Sequence, residues 1–161
     1  MVETTEEVRI VLGEFFPGII SDKHFKATSR CDDVYNCIAW AMGFIDRWVD
    51  FDIRPGHWWP SLVPRDSKQT TLIKAFEAVG FEVCKDGEPQ KGYDKVALYS
   101  LNGQWTHAAR ILSTSIYHSK MGRSWDVQHS SGDIFKETIY GTVFCFMQRK
   151  KSRFPFNMFK R

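Results

Sequence analysis

No stretch of the chain runs apolar for the eighteen or so residues that a membrane-spanning helix requires, so the sequence predicts no span. Cysteine is scarce. Cys31, Cys37, Cys84 and Cys145 form no CxxC pair and no zinc-finger spacing, and the five histidines supply none either. That pattern predicts no metal site and no cofactor, and four thiols in a reducing compartment. The opening "MVETTEEVRI" lacks the basic segment and apolar stretch of a Sec signal. A cytoplasmic protein is expected, with specialised export as an effector the alternative. Internal repeats and linkers are missing too.

What is present is a core. With 161 residues, 43% of them hydrophobic and 15% aromatic, the chain reads as one folded domain, residues 1–149, followed by a basic tail, 150–161. The stretch "RKKSRFPFNMFKR", from Arg149 to Arg161, holds six basic residues and no acid; without them the net charge of +3 becomes −3. Phe154, Phe156 and Phe159 interleave with these charges, a composition suited to an acidic partner. Six charges in a tail do not make a nucleic-acid-binding protein, and phenylalanines packed back on the domain are the simpler expectation.

Along the chain, Thr4 and Glu7 have capping-box spacing, and Val8, Val11, Leu12 and Phe15 recur at helical intervals, predicting a helix near 5–16. A short buried helix is expected from Cys37 to Gly43. Trp58 and Trp59 follow in an aromatic, proline-rich loop, and a third helix is expected near 67–79. After Gly80 the pattern turns to strands: "FEVC", a pair of β-rich runs, segments near 114–119 and 124–129, and "YGTVFCFMQR". Helices first and strands afterwards is an α+β order, with the helices on an antiparallel sheet of four to six strands.

Asn102-Gly103 joins the two β-rich runs, and a two-residue turn sets a register. Counting outward pairs Tyr99 with Thr106 and Leu98 with His107. Val96, Leu98, Trp105, His107, Ala109 and Ile111 then share the face that receives the helices, and Gln104, Thr106 and Arg110 take the other. His107 is thereby expected to point at the layer holding Cys37.

Cys37 itself stands in "DDVYNCIAWAMG", where Asp32, Asp33 and Asn36 give way to an apolar run. Its place in a first helical turn favours a thiolate. A small buried apolar residue is the plainer reading. A cysteine at a helix start followed by a histidine on an inner sheet face is the chain order of thiol hydrolases.

The blocks "YNCIAWA" (35–41), "WWP" (58–60), "THAAR" (106–110), "SKMG" (119–122), His129 and "YG" (140–141) resemble an uncharacterised bacterial domain family. That family is similar to the NlpC-like and papain-like thiol hydrolases. The resemblance implies a papain-like α+β fold with Cys37 as nucleophile, His107 as base and His129 as third member. "KVALY" (95–99) falls where such enzymes carry their histidine. Either His107 and His129 form the pair on a shifted sheet, or the base position passes to Asp94 or Lys95 and the machinery is incomplete.

The expected function is cysteine-dependent hydrolysis of an amide bond in a peptide or protein. Tyr35 and Asn36 would support the oxyanion, and Trp58, Trp59 and Trp105 would wall the cleft. Asp126 and Ser119 are next in line for the third position. The alternative is a non-catalytic interaction domain with the tail in contact with a partner.

Overall fold

The computed structural model describes residues 4–131 and 133–151; most of the expected basic tail lies outside them. Among the described residues, three α-helices, α1 (Thr5–Gly13), α2 (Cys37–Met42) and α3 (Gln69–Ala78), accompany nine strands. These are β1 (Lys26–Ala27), β2 (Trp48–Val49), β3 (His57–Trp58), β4 (Glu82–Cys84), β5 (Tyr93–Leu101), β6 (Gln104–Ile111), β7 (Ile116–Lys120), β8 (Asp126–Ser130) and β9 (Thr142–Lys150). Seven of them form one sheet in the order β1-β8-β7-β6-β5-β9-β4, every pair antiparallel. β2 and β3 make a separate parallel pair of two residues each.

The expected papain-like arrangement of N-terminal helices on an antiparallel sheet is corrected here. Helices of 9, 6 and 10 residues are too short to build a helical layer, and the described chain is mostly antiparallel sheet. The helices are also split between its faces. Val96, Leu98, Ala108 and Met147 pack against Ile38 and Trp40 of α2 and Leu72 and Phe76 of α3. Ala97, Tyr99, Ala109, Tyr117 and Val127 pack against Val8 and Leu12 of α1 and against Phe16, Ile19 and Phe135. With both faces buried, the alternation along β5 and β6 does not separate core from solvent.

The hairpin register differs from the count made on the turn. Leu101 pairs with Gln104 and Ser100 with Trp105, but Tyr99 pairs with His107 and Leu98 with Ala108. Thr106 is an extra residue, a bulge, and one extra residue exchanges the faces of everything beyond it. His107 therefore leaves the α2 face for the α1 face, and Arg110 moves the opposite way, under Trp40. Its Nε donates to the Trp40 carbonyl at 2.7 Å and its guanidinium lies 3.5 Å from the Trp40 ring centroid.

The helix ends are closed by named groups. Thr4 and Glu7 form the capping box of α1. Asn36 caps α2: its Oδ1 accepts from the Ala39 amide at 3.0 Å, and the same side chain exchanges bonds with the Val49 backbone. Arg149 of β9 serves two C-terminal ends at once, donating to Met42 O at 2.9 Å and Val79 O at 3.0 Å while lying over Phe81. Hydrogen bonds from a charged donor contribute roughly 1.5–3 kcal/mol each. Arg149→Met keeps the stem but removes both bonds, and is expected to lower the unfolding free energy by about 2–4 kcal/mol in urea titration.

Candidate functional site

β6 and β7 pair at Arg110–His118 and Ile111–Tyr117. Ala108, two residues before Arg110, lies in the same core cluster as Cys37 of α2. Cys37 thus packs on the α2 side of the sheet, in the cluster of the residue next to His107. On the other side the His107 ring stacks on Tyr140, centroids 3.9 Å apart and planes within 10°. Burial raises the Tyr140 phenol pKa, and the Cys37 thiol adds to the rise. Gly141 allows the approach: its φ is +73°, and a Cβ there would stand 2.0 Å from Ser100 O.

His107 and His129 are fully buried and joined through one hydroxyl. His107 Nε2 lies 2.9 Å from Ser119 Oγ, and Ser119 Oγ lies 2.7 Å from His129 Nε2. His129 Nδ1 bonds to Ser130 O at 2.8 Å. His107 Nδ1 has no hydrogen-bond partner. Burial holds the pKa of His107 well below 6.5 and that of His129 down to about 4, so both are neutral near pH 7.

The sulfur of Cys37 is not the thiolate that its helix-start position suggested. Burial pushes its pKa up to about 11, against amide donors at Ala108 and Ile38 and the Lys120 charge, which act the other way. No hydrogen bond joins it to the His107 ring, whose Nε2 faces Ser119 and whose Nδ1 is unpartnered.

A second polar cluster lies on the α2 face. Tyr35 OH donates to Asp126 Oδ2 at 3.1 Å, Thr28 bonds both Asp126 and His118, and His118 Nε2 stands 3.7 Å from Asp126 Oδ1. Burial raises the Asp126 pKa, but the hydrogen bonds from His118 and Thr28 outweigh it and hold the carboxyl at about 2. Lys120, fully buried, donates to Asp32 O at 2.5 Å and Gly122 O at 2.6 Å, and burial lowers its pKa to about 8.

Of the residues picked from the sequence, the structure brings His107 and His129 together through Ser119, with Cys37 in the core cluster of the neighbouring Ala108. Tyr35 is committed to Asp126 and Asn36 to Val49 and the α2 cap. The tryptophans pack: Trp59 stacks on Trp105 at 6.2 Å, their indole N–H groups donate to Pro64 O and Asp66 O, and Trp58 meets Phe44 edge-on. Tyr140 and Lys120 were not singled out. Tyr140 opens the last strand signal, where only the "YG" pair marked it, and Lys120 enters the α2 face through pairing with Asp126.

Among the described residues, the group that could hold a metal is Asp50, Asp52 and His57, with ligand atoms within 4.8 Å of one another. Asp52 is already engaged on both oxygens, by His57 Nδ1 at 2.5 Å and Arg54 Nε at 2.9 Å. No described helix is long and apolar enough to cross a membrane. Residues 26–148 match the model of a family described as a domain of unknown function. No curated protein and no solved structure matches the chain.

Two measurements follow from the buried groups. His129 titrates at about 4 when folded and near 6.5 when unfolded, so between those values the unfolded chain binds more protons. Stability is full above about pH 6.5 and falls as pH drops towards 4, by roughly 3 kcal/mol for His129 alone, with His107 adding to it. Urea titrations across that range read the slope, and the non-titrating His129→Gln is expected to flatten it. For the thiols, limiting iodoacetamide at neutral pH is expected to label exposed Cys31 before buried Cys37, read by peptide mass spectrometry.

Proposed function

The chain belongs to the DUF7689 family, a domain of unknown function, and on the chemistry of its buried site we propose that it is a cysteine-dependent hydrolase of amide or related acyl bonds. One observation carries the reading. His107 has its Nε2 hydrogen-bonded and its Nδ1 buried without a partner, one residue from Ala108, which shares a core cluster with Cys37. A buried imidazole oriented through one nitrogen and vacant at the other is the arrangement a general base needs.

In the proposed reaction the Cys37 sulfur attacks the acyl carbon and forms the S–C bond while His107 Nδ1 takes the thiol proton. Collapse of the tetrahedral intermediate breaks the C–N or C–O bond, and the proton passes from His107 to the leaving group. Water, deprotonated by the same nitrogen, then hydrolyses the thioester and restores the thiol. With the thiol pKa near 11 and the imidazole well below 6.5, the pair rests neutral. Proton transfer accompanies attack and does not precede it.

A second reading is favoured by burial: His107 is 0% exposed and Cys37 8%. It is an interaction domain in which both residues are core.

An activated ester separates the readings. In a Cys31→Ser background, p-nitrophenyl acetate is expected to give a p-nitrophenol burst with the acetyl group on Cys37, located by peptide mass spectrometry. Cys37→Ser removes that adduct, and His107→Gln slows its formation about a hundredfold. The wild-type rate holds level from pH 8 down to well below pH 6, because His107 keeps its lone pair there, and rises towards pH 11 as the thiolate forms. An equal burst from folded Cys37→Ser or His107→Gln would sink the hydrolase and leave the interaction domain.

A further inference from the structure

We infer that Ser119 is a positioning residue whose hydroxyl, shared between His107 and His129, holds His107 in the tautomer with its proton on Nε2 and its basic lone pair on Nδ1. Its catalytic purpose rests on the proposed thiol chemistry; the tautomer assignment stands apart from it.

The direction of every bond in the chain follows from its far end. Ser130 O is a carbonyl and only accepts, so His129 Nδ1, 2.8 Å away, carries the proton. His129 is neutral, so its Nε2 is bare and accepts, and the Ser119 hydroxyl donates to it across 2.7 Å. That hydroxyl has one hydrogen. Having given it to His129, Ser119 Oγ accepts from His107 Nε2 at 2.9 Å, which must therefore be N–H. His107 is neutral as well, so Nδ1 is left as the lone-pair nitrogen, and it is the atom without a partner. The histidines take opposite tautomers, and only a hydroxyl, donor and acceptor at once, can sit between them.

The anchor of the chain is fixed in turn. Asp22 accepts from the Ser130 amide at 2.8 Å and from its hydroxyl at 2.6 Å. Burial opposes the Asp22 charge, but these bonds and one from the His24 amide hold its pKa below the usual value. Ser130 Oγ, having donated to Asp22, accepts from His24 Nδ1 at 2.8 Å. A carboxylate on the α1 side thus sets Ser130, whose carbonyl sets His129, whose bare nitrogen sets Ser119 and so His107. Ser119 is fully buried in β7, opposite Val127, so loss of its hydroxyl leaves both histidine nitrogens without their partner.

Long-range 15N–1H correlation on uniformly 15N-labelled protein at pH 7 reads imidazole tautomers directly. The expected spectrum has His107 protonated on Nε2 and bare on Nδ1, and His129 the reverse, each assigned by the loss of its signal in His107→Gln or His129→Gln. Ser119→Thr, which keeps the hydroxyl, should retain the pattern, and Ser119→Ala should move His107 to a mixture of tautomers. In the Cys31→Ser background, acetylation of Cys37 should fall about tenfold or more in Ser119→Ala and return in Ser119→Thr. If Ser119→Ala does not fold, Ser119→Cys, with a much weaker donor and acceptor, takes its place. A proton on His107 Nδ1 in the wild type, or an unchanged His107 tautomer in a folded Ser119→Ala or Ser119→Cys, overturns the assignment. Opposite tautomers that respond to Ser119, in a protein whose Cys37 is never acetylated, would keep the relay and refute the hydrolase.

Discussion

Thr106 is one residue more than β5 can oppose, and the rest of the buried chemistry depends on where that residue is absorbed. Tyr99 pairs with His107 and Ser100 with Trp105, so the bulge rotates the strand by one position between them. Trp105 stays on the α2 face and stacks on Trp59, whereas His107 turns to the α1 face and meets Tyr140, Phe135 and Ser119. Without the extra residue His107 would stand among the α2 contacts and Ala108 among the aromatics. Neither the His107–Ser119–His129 chain nor the Arg110–Trp40 contact could form.

Both faces of the sheet consequently bury polar groups, and each face solves the problem differently. On the α2 face, charge is retained: Asp126, Lys120 and Arg110 are held by Thr28, Tyr35 and backbone carbonyls. Charges taken from water are tolerated only when each finds such partners. On the α1 face, the histidines give up their charge and interlock as neutral donors and acceptors. The α2 cluster keeps its charges through neutral pH, since Asp126 titrates near 2 and Lys120 near 8. The α1 chain is therefore the part that loses stability under mild acid.

Cys37 lies where these two systems approach each other. It packs beside Ala108 of β6, and the Lys120 charge lowers its pKa while the thiol in turn raises that of Tyr140, which stacks on His107. Burial overrides the helix start: α2 has six residues, the sulfur is almost enclosed, and desolvation of a thiolate outweighs the first-turn amides. In the proposed hydrolase the reaction starts from a neutral thiol and a neutral imidazole, which makes the location of the proton on His107 decisive.

Local pattern was enough for the elements with their own signals. The capping box of α1, the Asn36 cap and Gly43 stop of α2, the apolar stripe of α3 and the Asn102-Gly103 turn appear where residue chemistry puts them. The strand pairs β1, β2 and β3 did not show, because two residues carry no period and are strands only through a partner supplied from far along the chain. Cys37, His107, His129 and Ser119 were legible as polar or reactive residues in an apolar context. Their mutual geometry was not, because a bulge is decided by packing on both sides of a strand and not by the turn that starts it. The sequence by itself determined the residue types and the local helix and turn stops, which depend on neighbours a few positions apart. Only the tertiary structure decided which face His107 occupies, which nitrogen it protonates and how far the Cys37 thiol is removed from water, since each depends on groups brought together across the sheet.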